Sequence, residues 1–190
     1  MKCPALAALL GAVALAIVSC STQEIHSPQL PNASLGQRST FGLVPQLYQE
    51  AAAAVSNAPF WQNRIAAAIT SGLEQKGYRP SALVRKADLL VAFHVVLRQG
   101  ESITIFDNYL GYALPAAKAA TAGIAKLAAS PKGEAEIGTL VIDIIDPKTK
   151  TIIWRGWGRA EVKESQTLTQ TEKLIQEIVP KILGNFPNRT

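Results

Sequence analysis

The sequence predicts an α+β fold: an antiparallel sheet of about four strands with two main helices packed on one face, as a two-layer sandwich. Three observations predict it. Apolar residues recur at helical spacing in segments 59–76 and 170–183, residues 136–162 alternate along the two arms of a hairpin, and 88–97 reads as one long strand.

The chain opens with one positive charge at Lys2, an apolar run from Ala5 to Val18, and then Ser19 and Cys20. A run of about fourteen residues is short of the roughly 20 that cross a bilayer as a helix, but it suits the apolar core of an export signal. In Ile17-Val18-Ser19-Cys20 an aliphatic residue stands three before the cysteine and a small one directly before it. This resembles the bacterial lipobox. The resemblance implies S-diacylglycerol on the Cys20 sulfur, cleavage before Cys20 and N-acylation of the new amine. No other cofactor is expected. Two or more acyl chains make a stable anchor, because each buried methylene contributes about 0.8 kcal/mol. The residue after the lipid is Ser21 rather than an aspartate, which implies an outer-membrane lipoprotein facing the periplasm. The chain then divides into a signal peptide at 1–19, a flexible tether at 20–39 and a folded domain at 40–190.

Removing 19 residues from 190 leaves 171, enough for one domain with its own core. Cys3 leaves with the signal and the Cys20 sulfur is blocked, so no disulfide stabilises the mature chain. Of 19 basic and 14 acidic residues, loss of Lys2 leaves 18 against 14, a charge of +4 spread along the sequence. With no long block of like charge, the surface reads as ordinary solvated surface, and nucleic acid is not an expected partner.

Residues 21 to 40 are polar and interrupted by Pro28, Pro31 and Gly36, as a tether should be. His26 lies there with no second metal ligand nearby. Thr40 to Pro45 is a short strand, and 46–56, with four consecutive alanines, is open between helix and loop. From Pro59 to Lys76 a helix is favoured by Asn57 as cap, proline in the first turn, and Trp61, Ile65, Ile69 and Leu73 on one face. Gly77 should end it, with Tyr78 folding back on its last turn. Asp88 to Leu97 is a strand with Leu89, Val91, Phe93, Val95 and Leu97 on one face and His94 on the other, where a packed structural histidine is expected. Residues 98–135, with Phe106, Tyr109 and Tyr112 before an alanine-rich run, read as an insertion between strands or as a partner-binding or lipid-facing arm.

The hairpin is the strongest signal: Glu136 to Ile145, a turn at Asp146 to Lys150, and Thr151 to Val162. Leu140, Ile142 and Ile144 face the core, joined by Ile152 and Trp154 and then Gly156, Gly158 and Ala160. Ile153, Arg155, Trp157 and Arg159 share the opposite face, where an indole between two guanidiniums makes a candidate binding face. A second helix runs from about Gln170 to Leu183, opened by a Thr169-to-Glu172 capping box, with Pro180 expected to bend it near Gln176.

These segments, in their order, resemble the DUF4136 family of bacterial lipoproteins. The resemblance rests on Thr40-Phe41-Gly42-Leu43-Val44-Pro45, Gln75-Lys76-Gly77-Tyr78, Ala87-Asp88-Leu89-Leu90-Val91, Gly138-Thr139-Leu140-Val141-Ile142-Asp143, Asp146-Pro147-Lys148-Thr149, Ile153-Trp154-Arg155-Gly156 and Ile182-Leu183-Gly184-Asn185-Phe186-Pro187. It implies a periplasm-facing α+β domain and no particular activity.

No metal cluster, activated nucleophile or paired acid and base has supporting spacing, so neither a catalytic residue nor a metal ligand is assigned. Asp88, Asp143 and Asp146 are the acidic candidates, and Asp88 and Asp146 stand where aspartate serves the backbone. The favoured expectation is a non-catalytic, membrane-tethered module that binds an envelope protein or serves envelope assembly. A carrier of lipid or another amphipathic ligand, or a hydrolase with an unrecognised site, are the alternatives.

Overall fold

The computed structural model describes residues 24–26, 35, 37–44, 58–99, 102–107, 136–162 and 166–189. Its elements in chain order are β1 (Glu24–His26), β2 (Thr40–Leu43), α1 (Ala58–Gln75), β3 (Arg79–Pro80), a 3₁₀ turn (Val84–Lys86), β4 (Leu89–Gln99), β5 (Ser102–Asp107), β6 (Glu136–Asp146), β7 (Thr151–Val162) and α2 (Leu168–Gly184). The predicted segments 46–56 and 108–135 and the Asn57 cap lie outside the described residues. The fold is α+β with two helices, but the sheet is larger than expected and mixed. Its order is β1-β7-β6-β4-β2-β3, with β5 also paired to β4. β2 runs parallel to β3 and to β4, while the remaining pairs are antiparallel. The parallel pair β2–β3 follows from α1, which separates those strands and carries the chain back before it re-enters the sheet.

α1 buries Ile65, Ala68, Ile69 and Leu73. It ends as the sequence predicts: Gly77 takes φ of 89°, the Gly77 N–H bonds the Glu74 carbonyl at 2.9 Å, and the Tyr78 N–H bonds the Leu73 carbonyl at 3.1 Å. That pair of bonds is a Schellman stop, and a side chain at Gly77 would strain it. α2 starts two residues earlier than expected. Its capping box is Thr167 with Gln170, since the Gln170 N–H donates to the Thr167 hydroxyl while the Thr167 N–H donates to the Gln170 carboxamide at 2.8 Å. The helix runs through Pro180 without interruption, burying Ile175, Ile178, Val179, Ile182 and Leu183.

Both helices cover the sheet face that carries Leu89, Val91, Phe93, Leu140, Ile142, Ile144 and Trp154. Close approach depends on glycine in β7. A methyl group built on Gly156 would fall 2.8 Å from Ile182, and one on Gly158 would fall 3.0 Å from Ile178. α2 therefore runs antiparallel to β7. α1 lies beside it in the same direction, with Arg64 against Glu172 at 3.3 Å and Gly72 beneath Leu183. At the hairpin a β-bulge shifts the register between Ile144 and Ile145, so that Ile152 faces Ile145. One extra residue reverses sidedness. Ile152 consequently packs with Val44, Leu90 and Ile145 on the far face, while Ile153 packs on the helix side, the reverse of their expected placement.

Asp88 and Asp146 serve the backbone, as their positions suggest. Asp88 accepts from the Ser39 and Thr40 N–H groups, both at 3.0 Å, and from the Thr40 hydroxyl at 2.9 Å, which holds the segment entering β2 against the start of β4. Asp146 accepts from the Lys148 N–H at 2.8 Å inside the hairpin turn and from the Arg38 guanidinium.

Candidate functional site

The sheet face away from the helices carries the candidate residues. Antiparallel register aligns Arg155 of β7 with Asp143 of β6, and Trp157 with Val141, which in turn faces His94 of β4. Arg155 donates from Nε and Nη2 to the two oxygens of Asp143, at 2.6 and 2.7 Å. This bidentate fork is the strong geometry for a guanidinium and a carboxylate. Asp143 is fully buried, and the Arg155 side chain keeps 18% of its exposure. His94 is also fully buried, its Nε2 3.6 Å from Asp143 Oδ2. Burial, reinforced by the Arg155 charge, pushes the His94 pKa down to about 3. At neutral pH His94 is thus a neutral imidazole packed beside the Asp143–Arg155 pair.

Two residues along β7, Trp157 is a buried plank. His26 of β1 stacks on its ring with centroids 4.3 Å apart and planes 17° apart, and the Arg159 guanidinium sits 4.8 Å from its centre. Arg155, Trp157 and Arg159 do share one face, as the sequence predicts. Their roles differ: Arg155 is committed to Asp143, Trp157 is mostly covered, and the surface of the cluster is formed by exposed His26 and half-buried Arg159. The sequence places His26 in the tether, whereas the structure puts it in β1. Its pairing opposite Trp157 comes from β1, a strand too short to show a period. The Asp143–Arg155 pair could be found by counting outward from the turn, provided the bulge is allowed for. Cys20 lies outside the described residues. Among the described residues no three His, Cys, Asp or Glu side chains gather as a metal site.

Acid should loosen this region. His94 has a folded pKa below its unfolded value, so the unfolded chain binds the extra proton first and stability falls as pH drops from about 6.5 toward 3. Asp88, lowered by the Ser39 and Thr40 hydrogen bonds, adds a loss in the same direction at lower pH. Urea unfolding between pH 7 and 5 is expected to show the His94 part as a slope approaching about 1.4 kcal/mol per pH unit, largely removed in His94→Gln. An unchanged slope in that variant would assign the acid sensitivity elsewhere.

Comparison with known proteins places this geometry in a wider setting. A family model described as a domain of unknown function, DUF4136, matches residues 28–188. No curated protein matches the chain. Among solved structures, a DUF4136 family protein from Bacteroides thetaiotaomicron is similar at 17% identity with a TM-score of 0.53, covering 88% of this chain and 98% of that one. A PDZ domain protein from Parabacteroides distasonis is similar at 16% identity and a TM-score of 0.53, covering 90% of this chain but 38% of its own. A PelC dodecamer from Paraburkholderia phytofirmans aligns at 11% identity and a TM-score of 0.47, covering 89% and 100%. At these identities the first two share a fold with this chain.

Proposed function

The chain belongs to the DUF4136 family, a domain of unknown function, and from that premise we propose that it is a non-catalytic binding or envelope-assembly module anchored by lipid on Cys20 to the outer membrane, facing the periplasm. The observation that carries the reading is the Ile17-Val18-Ser19-Cys20 segment directly behind an apolar run too short to span a bilayer. Support for binding comes from the His26–Trp157–Arg159 stack, an amphipathic cation–aromatic surface on the sheet face opposite the helices. Its chemistry suits a protein partner that offers a carboxylate beside an apolar side chain.

Wild type is expected to fractionate with the outer membrane and to show acyl chains on an N-terminal Cys20 by mass spectrometry. Cys20→Ser should leave that fraction. A photo-crosslinking residue at position 159 should capture one defined envelope protein, and His26→Ala should reduce the capture several-fold without unfolding the domain. An unacylated N-terminus would remove the anchor from this reading. Absence of a specific adduct would remove the binding face.

A further inference from the structure

The N-terminal segment is much shorter as a leash than its polar composition suggests. Glu24 already belongs to the sheet, paired with Arg159, and only Ser21, Thr22 and Gln23 separate it from Cys20. Four residue steps reach at most about 14 Å even when fully extended, whereas a free tether out to residue 39 would reach roughly 70 Å. The direction is fixed as well. Because β1 is antiparallel to β7, the chain leading back from Glu24 toward Cys20 enters from the side of Val162, the far end of β7. Arg159 is about 10 Å short of Val162 but about 27 Å from Thr151 at the hairpin turn, at the usual rise per residue. A leash of 14 Å covers the first distance and falls well short of the second.

Both helices start at the Val162 end. Ile182 over Gly156 and Ile178 over Gly158 set α2 antiparallel to β7, and Arg64 against Glu172 aligns α1 with it. The first turns bring Phe60, Trp61 and Leu168 to this end. Phe60 and Trp61 are half-buried and pack edge to face at 4.9 Å, and Leu168 is 45% exposed. The opposite end carries exposed Arg79, Arg85, Lys86, Lys148 and Lys150 around Asp88 and Asp146. Charge alone would choose that basic end for an anionic headgroup surface; the length of the leash overrides it.

We propose that the helix-start end of the domain, bearing Phe60, Trp61 and Leu168, rests on the lipid surface, with the basic hairpin-turn end directed away from it. The inference rests on acylation of Cys20. A few apolar groups suffice because the short leash holds them beside the bilayer at high effective concentration, and aromatic and leucine side chains suit the headgroup–acyl boundary.

The mature chain has no reactive thiol once Cys20 is acylated, so a single introduced cysteine can carry a polarity-sensitive fluorophore. Acylated full-length protein is reconstituted into phosphatidylethanolamine–phosphatidylglycerol vesicles that contain shallow brominated lipid. A label at Thr169→Cys, beside Leu168, is expected to be quenched roughly twofold or more strongly than one at Lys148→Cys. Insertion of a ten-residue Gly-Ser segment between Thr22 and Gln23 should erase most of the difference. Equal quenching at both labels, stronger quenching at 148, or a difference that survives the insertion would overturn the orientation while mass spectrometry still finds the lipid. If mass spectrometry finds no acyl chains, the anchor and the orientation fall together.

Discussion

Asp143→Ala is expected to destabilise the domain by about 3 kcal/mol, the lower part of the range for breaking a buried ion pair. The lower part applies because Arg155 retains 18% exposure and can recover some hydration, whereas Asp143 has none. The cost arises less from the lost attraction than from a guanidinium left inside the sheet without its carboxylate, next to an imidazole that burial already keeps neutral. Chemical denaturation of the protein measures it directly. The informative partner is the double variant Asp143→Leu with Arg155→Met. If the pair serves stability alone, replacing both charges by apolar groups of similar volume should return the midpoint to near wild type or above it. A double variant that folds as well as wild type yet loses crosslinking from position 159 would instead show that the fork positions β7 for binding. A single variant as stable as wild type would contradict the buried geometry.

Phe186→Ala should cost more, about 4 kcal/mol, within the range for removing a fully buried aromatic ring. Phe186 follows α2, is 1% exposed, and closes the core from below: its ring lies 5.1 Å from Trp154 and 5.4 Å from Tyr78. It joins three parts of the chain that are distant in sequence, namely the α1 stop, β7 and the C-terminal segment. Neighbouring bonds tie the same corner, with the Arg189 N–H on the Lys76 carbonyl at 2.8 Å and the Phe186 N–H on the Leu183 carbonyl at 2.8 Å. The backbone around the cavity is thus held and cannot collapse to refill it. Phe186→Leu, which keeps most of the volume, should cost about 1–1.5 kcal/mol. Thermal melts should show Phe186→Ala lowered by roughly 10 °C, since each kcal/mol shifts a domain of this size by about 2–4 °C.

Long periodic elements were legible from residues alone. α1 with its Gly77 stop, β4, and the β6–β7 hairpin stand where alternation and helical spacing put them, because each buries a whole face and the pattern repeats often enough to be seen. The rest was hidden for identifiable reasons. β1 and β3 have three and two residues, too few for any period, and exist because neighbouring strands offer them hydrogen bonds. β5 pairs beside β4 inside a stretch that reads as an insertion. Ile152 and Ile153 exchanged faces because a bulge is a feature of the pairing and leaves no mark on the strand's own alternation. At the candidate site, the shared face of Arg155, Trp157 and Arg159 followed from period two. Asp143 as the counter-charge and His26 as the stacking partner required knowing which strands are neighbours.

The first described strand in the chain is also the last that can find its place. Glu24, Ile25 and His26 are synthesised early, yet the ladder they join is made of residues that emerge only near the end of translation. Until then this stretch has no sheet to enter, so docking of β1 completes one edge of the sheet only after β7 has formed beside β6.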